Sequence, residues 1–89
     1  MAAIRRVSIG SHQVEVDPSW ANTPIEKVWY DGKEVSAQMS MFGASHRFEV
    51  IEDGVNAEYE VDIGATSDFI FPRPYVTVRR NGKILFSDK

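Results

Sequence analysis

At 89 residues the chain has room for one compact domain, one that buries roughly 60–65% of the surface its unfolded form exposes. Hydrophobic residues at 43% and charged residues at 26% are globular proportions, which exclude a disordered chain and a membrane span. The absence of cysteine excludes disulfides, thiol chemistry and cysteine-ligated metals, and a net charge of −3 argues against a general phosphate-backbone binder.

In chain order, Val7 and Ile9 alternate with polar neighbours, as do Val14 and Val16, across Gly10-Ser11. This spelling predicts two strands, 4–9 and 12–17, joined by a tight turn. The start, Met1 to Arg6, lacks the apolar core of a secretion signal, and no stretch reaches the ~20 apolar residues of a spanning helix. A soluble, cytoplasmic protein is therefore expected. Prolines at 18 and 24 make the segment around Trp20 a loop.

Three dipeptides, Asp31-Gly32, Asp53-Gly54 and Asn81-Gly82, sit between alternating runs and supply the positive-φ residues of hairpin turns. The first predicts strands 25–30 and 33–42, with Val28 opposite Val35 and Ala37, Met39 and Met41 continuing the apolar side. The second predicts strands 46–52 and 55–63, with Val50 against Ala57, Phe48 against Tyr59, and Val61 and Ile63 extending the inward row. Outward, Arg47 meets Glu60 and Glu49 meets Glu58, a like-charge pair that needs a solvated face.

Residues 64–74 read as the crossover to the last hairpin, strands 75–80 and 83–87. A three-residue loop, Arg80-Asn81-Gly82 with Gly82 left-handed, places Val78 against Ile84 and Val76 against Phe86. No segment keeps helical spacing for three turns. The reading is a single domain over residues 1–89, all-β, an antiparallel β-sandwich or flattened barrel of about eight strands. Its inward residues are Val7, Ile9, Val14, Val16, Val28, Val35, Phe48, Val50, Tyr59, Val61, Val76, Val78, Ile84 and Phe86.

Catalytic constellations are missing from the sequence. Ser11-His12 and Ser45-His46 are neighbours whose side chains point to opposite faces of a strand, so neither forms a Ser–His pair. His46, opposite Val61, is expected at the rim of the core. Glu49, Glu52, Asp53, Glu58, Glu60 and Asp62 lack the spacing of a calcium loop and read as a solvated face, and a paired-carboxylate site would need a groove. No phosphate-cradling glycine pattern occurs, and no metal site or cofactor is expected. Trp29, Tyr30 and Tyr75 could stack on a sugar or base, but without basic interleaving nucleic acid is not expected.

The order of features resembles the β-sandwich domain of the Fas apoptotic inhibitory molecule family. The resemblance rests on residues 28–34 (Val-Trp-Tyr-Asp-Gly-Lys-Glu), 41–48 (Met-Phe-Gly-Ala-Ser-His-Arg-Phe), 61–69 and 76–85, and covers the chain from about Val7 to Phe86. It implies a non-enzymatic domain that acts through protein contacts. That family carries two such domains where this chain has room for one.

The function expected is thus a non-catalytic module that binds a protein partner or itself, with no nucleic acid and no membrane. The alternative is an assembly subunit or a carbohydrate- or small-ligand-binding accessory domain. Candidate partner-binding residues are Trp20, Trp29, Phe69, Ile70, Phe71 and Arg73: large apolar groups in a proline-restrained loop either cap the sandwich or form an anchor.

Overall fold

A computed structural model describes residues 4–18, 25–39, 43–65 and 73–89. The strands are β1 (Arg5–Ile9), β2 (His12–Asp17), β3 (Ile25–Tyr30), β4 (Lys33–Met39), β5 (Ala44–Glu52), β6 (Val55–Ala65), β7 (Pro74–Arg80) and β8 (Lys83–Ser87). They form two antiparallel four-stranded sheets, β1-β2-β3-β4 and β5-β6-β7-β8, packed as a β-sandwich. Among the described residues no helix is long and apolar enough to cross a membrane.

Alternation decides the faces. Val14, Val16 and Val28 from the first sheet and Tyr59, Val61, Val76 and Val78 from the second are fully buried between the layers. Ile9, Val35, Phe48, Val50 and Phe86 pack around them. The β5–β6 register is the expected one, with Val50 opposite Ala57, Phe48 opposite Tyr59 and Glu49 opposite Glu58.

Two hairpins depart from expectation for one reason. In all three Asx-Gly turns both central residues are left-handed: Asp31 at φ 50° with Gly32 at 81°, Asp53 at 51° with Gly54 at 81°, and Asn81 at 50° with Gly82 at 82°. These are two-residue turns, because a short polar side chain tolerates the left-handed region almost as glycine does. The Asn81-Gly82 loop is therefore not three residues long: Arg80 meets Lys83 and Arg79 meets Ile84. The slip that the longer loop was meant to absorb is taken up one pair further on by a bulge between Val78 and Arg79, so Val78, not Val76, meets Phe86. Ile84 is exposed rather than inward. The same bulge occurs between Val28 and Trp29, so Val28 meets Ser36 instead of Val35, while Ala37 and Met39 lie exposed; Met41 is outside the described residues.

The two sheets repeat one plan. Residues 5–9, 12–17 and 27–37 correspond, pair for pair, to 46–50, 57–62 and 77–87. Each last hairpin carries the same bulge. Arg6 bonds Glu15 as Arg47 bonds Glu60. Asp31 gives its N–H to the Gln13 carbonyl and accepts the Gln13 N–H at its side chain, and Asn81 does both with Glu58. The chief difference in length is the β5–β6 hairpin, which runs two pairs further, Ile51 with Asn56 and Glu52 with Val55, before it turns.

Glycine is required most strongly at position 43. Its φ is 112°, and a Cβ there would collide with the Ile63 carbonyl oxygen, whereas one at Gly82 would meet open space. Gly82→Ala should cost about 1–2 kcal/mol for the left-handed backbone alone, and Gly43→Ala clearly more. Urea unfolding of both variants checks this; equal losses would show that room at Gly43 is not limiting.

Candidate functional site

The longer third hairpin carries Glu52 into the space between the sheets. Glu52 shares the parity of Phe48 and Val50, so it points inward and is only 5% exposed. Its carboxylate accepts the Tyr30 hydroxyl at 2.5 Å, the Tyr59 hydroxyl, and Arg80 Nε and Nη2 at 2.9 and 2.8 Å. Burial acts to raise this carboxyl, but the bonds from Tyr30, Tyr59 and Arg80 outweigh it and hold it below its ordinary range. Burial, and then the Glu52 carboxylate, push the Tyr59 hydroxyl up to about 12, and the Tyr30 hydroxyl moves the same way. Tyr30, Phe48 and Tyr59 pack ring against ring at 5.0–5.9 Å, so this end of the sandwich is an aromatic layer built around one carboxylate. Tyr30 is thus a core residue, not an exposed platform.

A second polar bridge lies at the β4/β5 corner. His46 is not at the rim of the core but fully buried, and its Nε2 stands 3.0 Å from Glu26 Oε1 while Nδ1 stands 2.7 Å from Ser36 Oγ. Burial raises the Glu26 carboxyl against the lowering effect of His46. With Glu26 ionised, the imidazole donates Nε2–H to it and accepts the Ser36 hydroxyl at Nδ1. That is the bonding order of a serine, its base and an orienting acid. The other half of the molecule places it differently. Arg5 occupies the position equivalent to His46, and it bonds Asp88, which extends from the sheet opposite, at 2.7 Å. Each corner is thus latched by a base and a carboxylate from facing sheets, and Ser36 completes the buried imidazole's hydrogen bonding.

His12 stacks on Tyr30 at 5.5 Å and sets Nδ1 2.7 Å from Asp31 Oδ2. Among the described residues no group of three His, Cys, Asp or Glu side chains is placed to hold a metal ion.

Of the residues singled out from sequence, Trp20, Phe69, Ile70 and Phe71 lie outside the described residues. Trp29 is half-buried on the outer face of the first sheet, between Glu15 and Glu34, and Arg73 is exposed just before β7; the structure does not bring these two together. The exposed apolar side chains lie elsewhere. Ile84 and Leu85 are 54% and 39% exposed on β8, an edge strand. The equivalent positions on β4, the edge of the other sheet, hold Glu34, which bonds Lys27, and Val35, which packs against the core. At these two positions the edges differ on the same scaffold, although β4 also carries the exposed Met39 further along. Beside Ile84 a shallow outer groove of about 250 Å³ is lined by Arg47, Glu58, Tyr59, Glu60, Arg79 and Gly82. Its arginines are tied into a row in which Arg47 and Arg79 share Glu60, and Arg79 also bonds Asp62.

Compared with known proteins, the chain matches no family model, no curated protein and no solved structure.

The His12–Asp31 pair has a pH consequence. The hydrogen bond that His12 donates to Asp31, opposed by burial, raises His12 above its ordinary 6.5, and the same bond lowers Asp31. A raised histidine contributes stability that is complete below 6.5 and is lost as pH rises through the folded-state value; a lowered aspartate loses its contribution only in acid. An NMR titration should place the His12 midpoint above 6.5, and Asp31→Asn should return it toward that value. A native midpoint at or below 6.5 would show that the pair is not formed in solution.

Proposed function

We propose that this protein is a small non-catalytic interaction module that docks protein through the open β8 edge of its second sheet. The observation that carries the reading is the exposure of Ile84 and Leu85, on a strand whose counterpart in the same molecule is charged. An edge strand presents a row of unpaired N–H and C=O groups, and proteins blunt such edges with charge; both edges begin with a lysine, Lys33 and Lys83, but β4 follows it with Glu34 where β8 has Ile84. Strand addition supplies affinity through the backbone and specificity through alternate side chains. The sequence resemblance to the Fas apoptotic inhibitory molecule sandwich, whose members act through protein contacts, supports the same reading. Trp29, half-buried, and the loop that carries Arg73 remain candidate contributors to a wider surface.

The test compares the native protein with Ile84→Lys/Leu85→Lys and with Ile51→Lys, a control at a more exposed apolar position on the β5–β6 hairpin. Substitutions at such exposed sites change stability by about 0.5 kcal/mol or less, so lost binding will not reflect unfolding. Stoichiometric association, with another protein or with itself, should vanish in the double variant and persist in the control. Association that ignores Ile84 and Leu85, or none at all, would overturn the reading.

A further inference from the structure

We propose that the occupant of the β8 edge is the β8 strand of a second copy, paired antiparallel about a two-fold axis that passes between Leu85 and Phe86. This rests on reading β8 as the docking edge, and it follows from how that strand is spelled. Lys83 stands at its start, Asp88 just past its end, and Ile84, Leu85 and Phe86 between them. Antiparallel pairing of two such strands sets Lys83 opposite the second copy's Asp88, Ile84 opposite its Ser87 and Leu85 opposite its Phe86.

The faces agree with that register. Lys83 pairs with Arg80, and Asp88 bonds the backbone of Val76, so both belong to the inward row of Val76, Val78 and Arg80. Ile84 pairs with Arg79 and Ser87 with Thr77, both on the outer row. A slip of one residue would oppose inward to outward side chains. A slip of two in either direction would part Lys83 from Asp88 in both halves of the interface. Asp88 is engaged by Arg5 yet keeps 31% of its side chain exposed, enough to receive the second copy's Lys83. The axis falls at the bulge, so the two irregular segments meet each other instead of interrupting regular pairing. Every contact is made twice, as an isologous interface requires, and the two second sheets become one of eight strands. The β4 edge offers no such match, because Gln38 stands at the position that Asp88 holds and Val35 is turned to the core.

The chain has no cysteine, so introduced thiols report without background. In Ile84→Cys/Ser87→Cys the proposed pairing brings each new thiol opposite its mate in the other copy, whereas within one strand the two are about 10 Å apart, too far to bridge. Mild oxidation should give a covalent dimer, and Ile51→Cys treated alike should not. Light scattering should find the unmodified protein at twice its chain mass, and Ile84→Lys/Leu85→Lys at the chain mass, still folded by its circular dichroism. A monomer at all concentrations that forms no dimeric crosslink, or crosslinking equal to that of Ile51→Cys, would overturn the proposal. If such a monomer instead captures another protein through Ile84 and Leu85, the docking edge stands and its occupant is not a second copy; if it captures nothing through them, both readings fall.

Discussion

One carboxylate holds the closed end of this sandwich. Glu52 belongs to the second sheet, Tyr30 to the first, and the hydroxyl of one meets the carboxylate of the other inside the apolar layer, with Tyr59 and Arg80 completing the bonding. A buried charge is tolerable only when it is paired and hydrogen-bonded, and removing one partner of such a group typically costs about 3–5 kcal/mol. With no disulfide to join the layers, the arrangement depends on this bridge, on the Glu26–His46 and Arg5–Asp88 latches at the corners, and on the valines between them. The two extra residue pairs of the β5–β6 hairpin exist, in physical terms, to deliver Glu52 to that position.

Because the sheets follow one plan, each half serves as a control for the other. Backbone demands are shared: the same turns, the same bulges, the same docking of Asp31 on Gln13 and of Asn81 on Glu58. What differs is chemistry laid over that plan. The latch is the partly exposed Arg5–Asp88 at one corner and the buried His46–Glu26 at the other; the edge position that holds Glu34 on β4 holds Ile84 on β8. An exposed Ile84 cannot be a requirement of the fold when Glu34 fills the equivalent position.

Much of this was legible from alternation and turn chemistry. Val50, Phe48 and Val61 fall where a two-residue Asp-Gly turn puts them, and the eight strands follow from four such hairpins. The bulges were not legible, since nothing in Glu-Val-Ser or Ile-Leu-Phe marks Val35 or Leu85 as the extra residue of its strand, and without the bulge Ile84 reads as inward. Glu52 was read into a solvated acidic face, His46 was placed only at the rim of the core, and Glu26 was passed over. Their parity with Val28, Val50 and Phe48 was the available signal, and it placed all three inside. The candidate surface was sought among aromatics near the prolines, whereas the exposed apolar edge comes from Ile84 and Leu85, residues that pattern reading assigned to the core or passed over.

The account stands most directly on the bond between the sheets at Glu52. A double-mutant cycle of Tyr30→Phe and Glu52→Gln, followed by urea unfolding, isolates it. A hydrogen bond to a charged group is worth about 1.5–3 kcal/mol, and coupling of that size is the predicted result. Additive losses, agreeing within about 0.5 kcal/mol, would contradict the claim that this carboxylate ties the two sheets together.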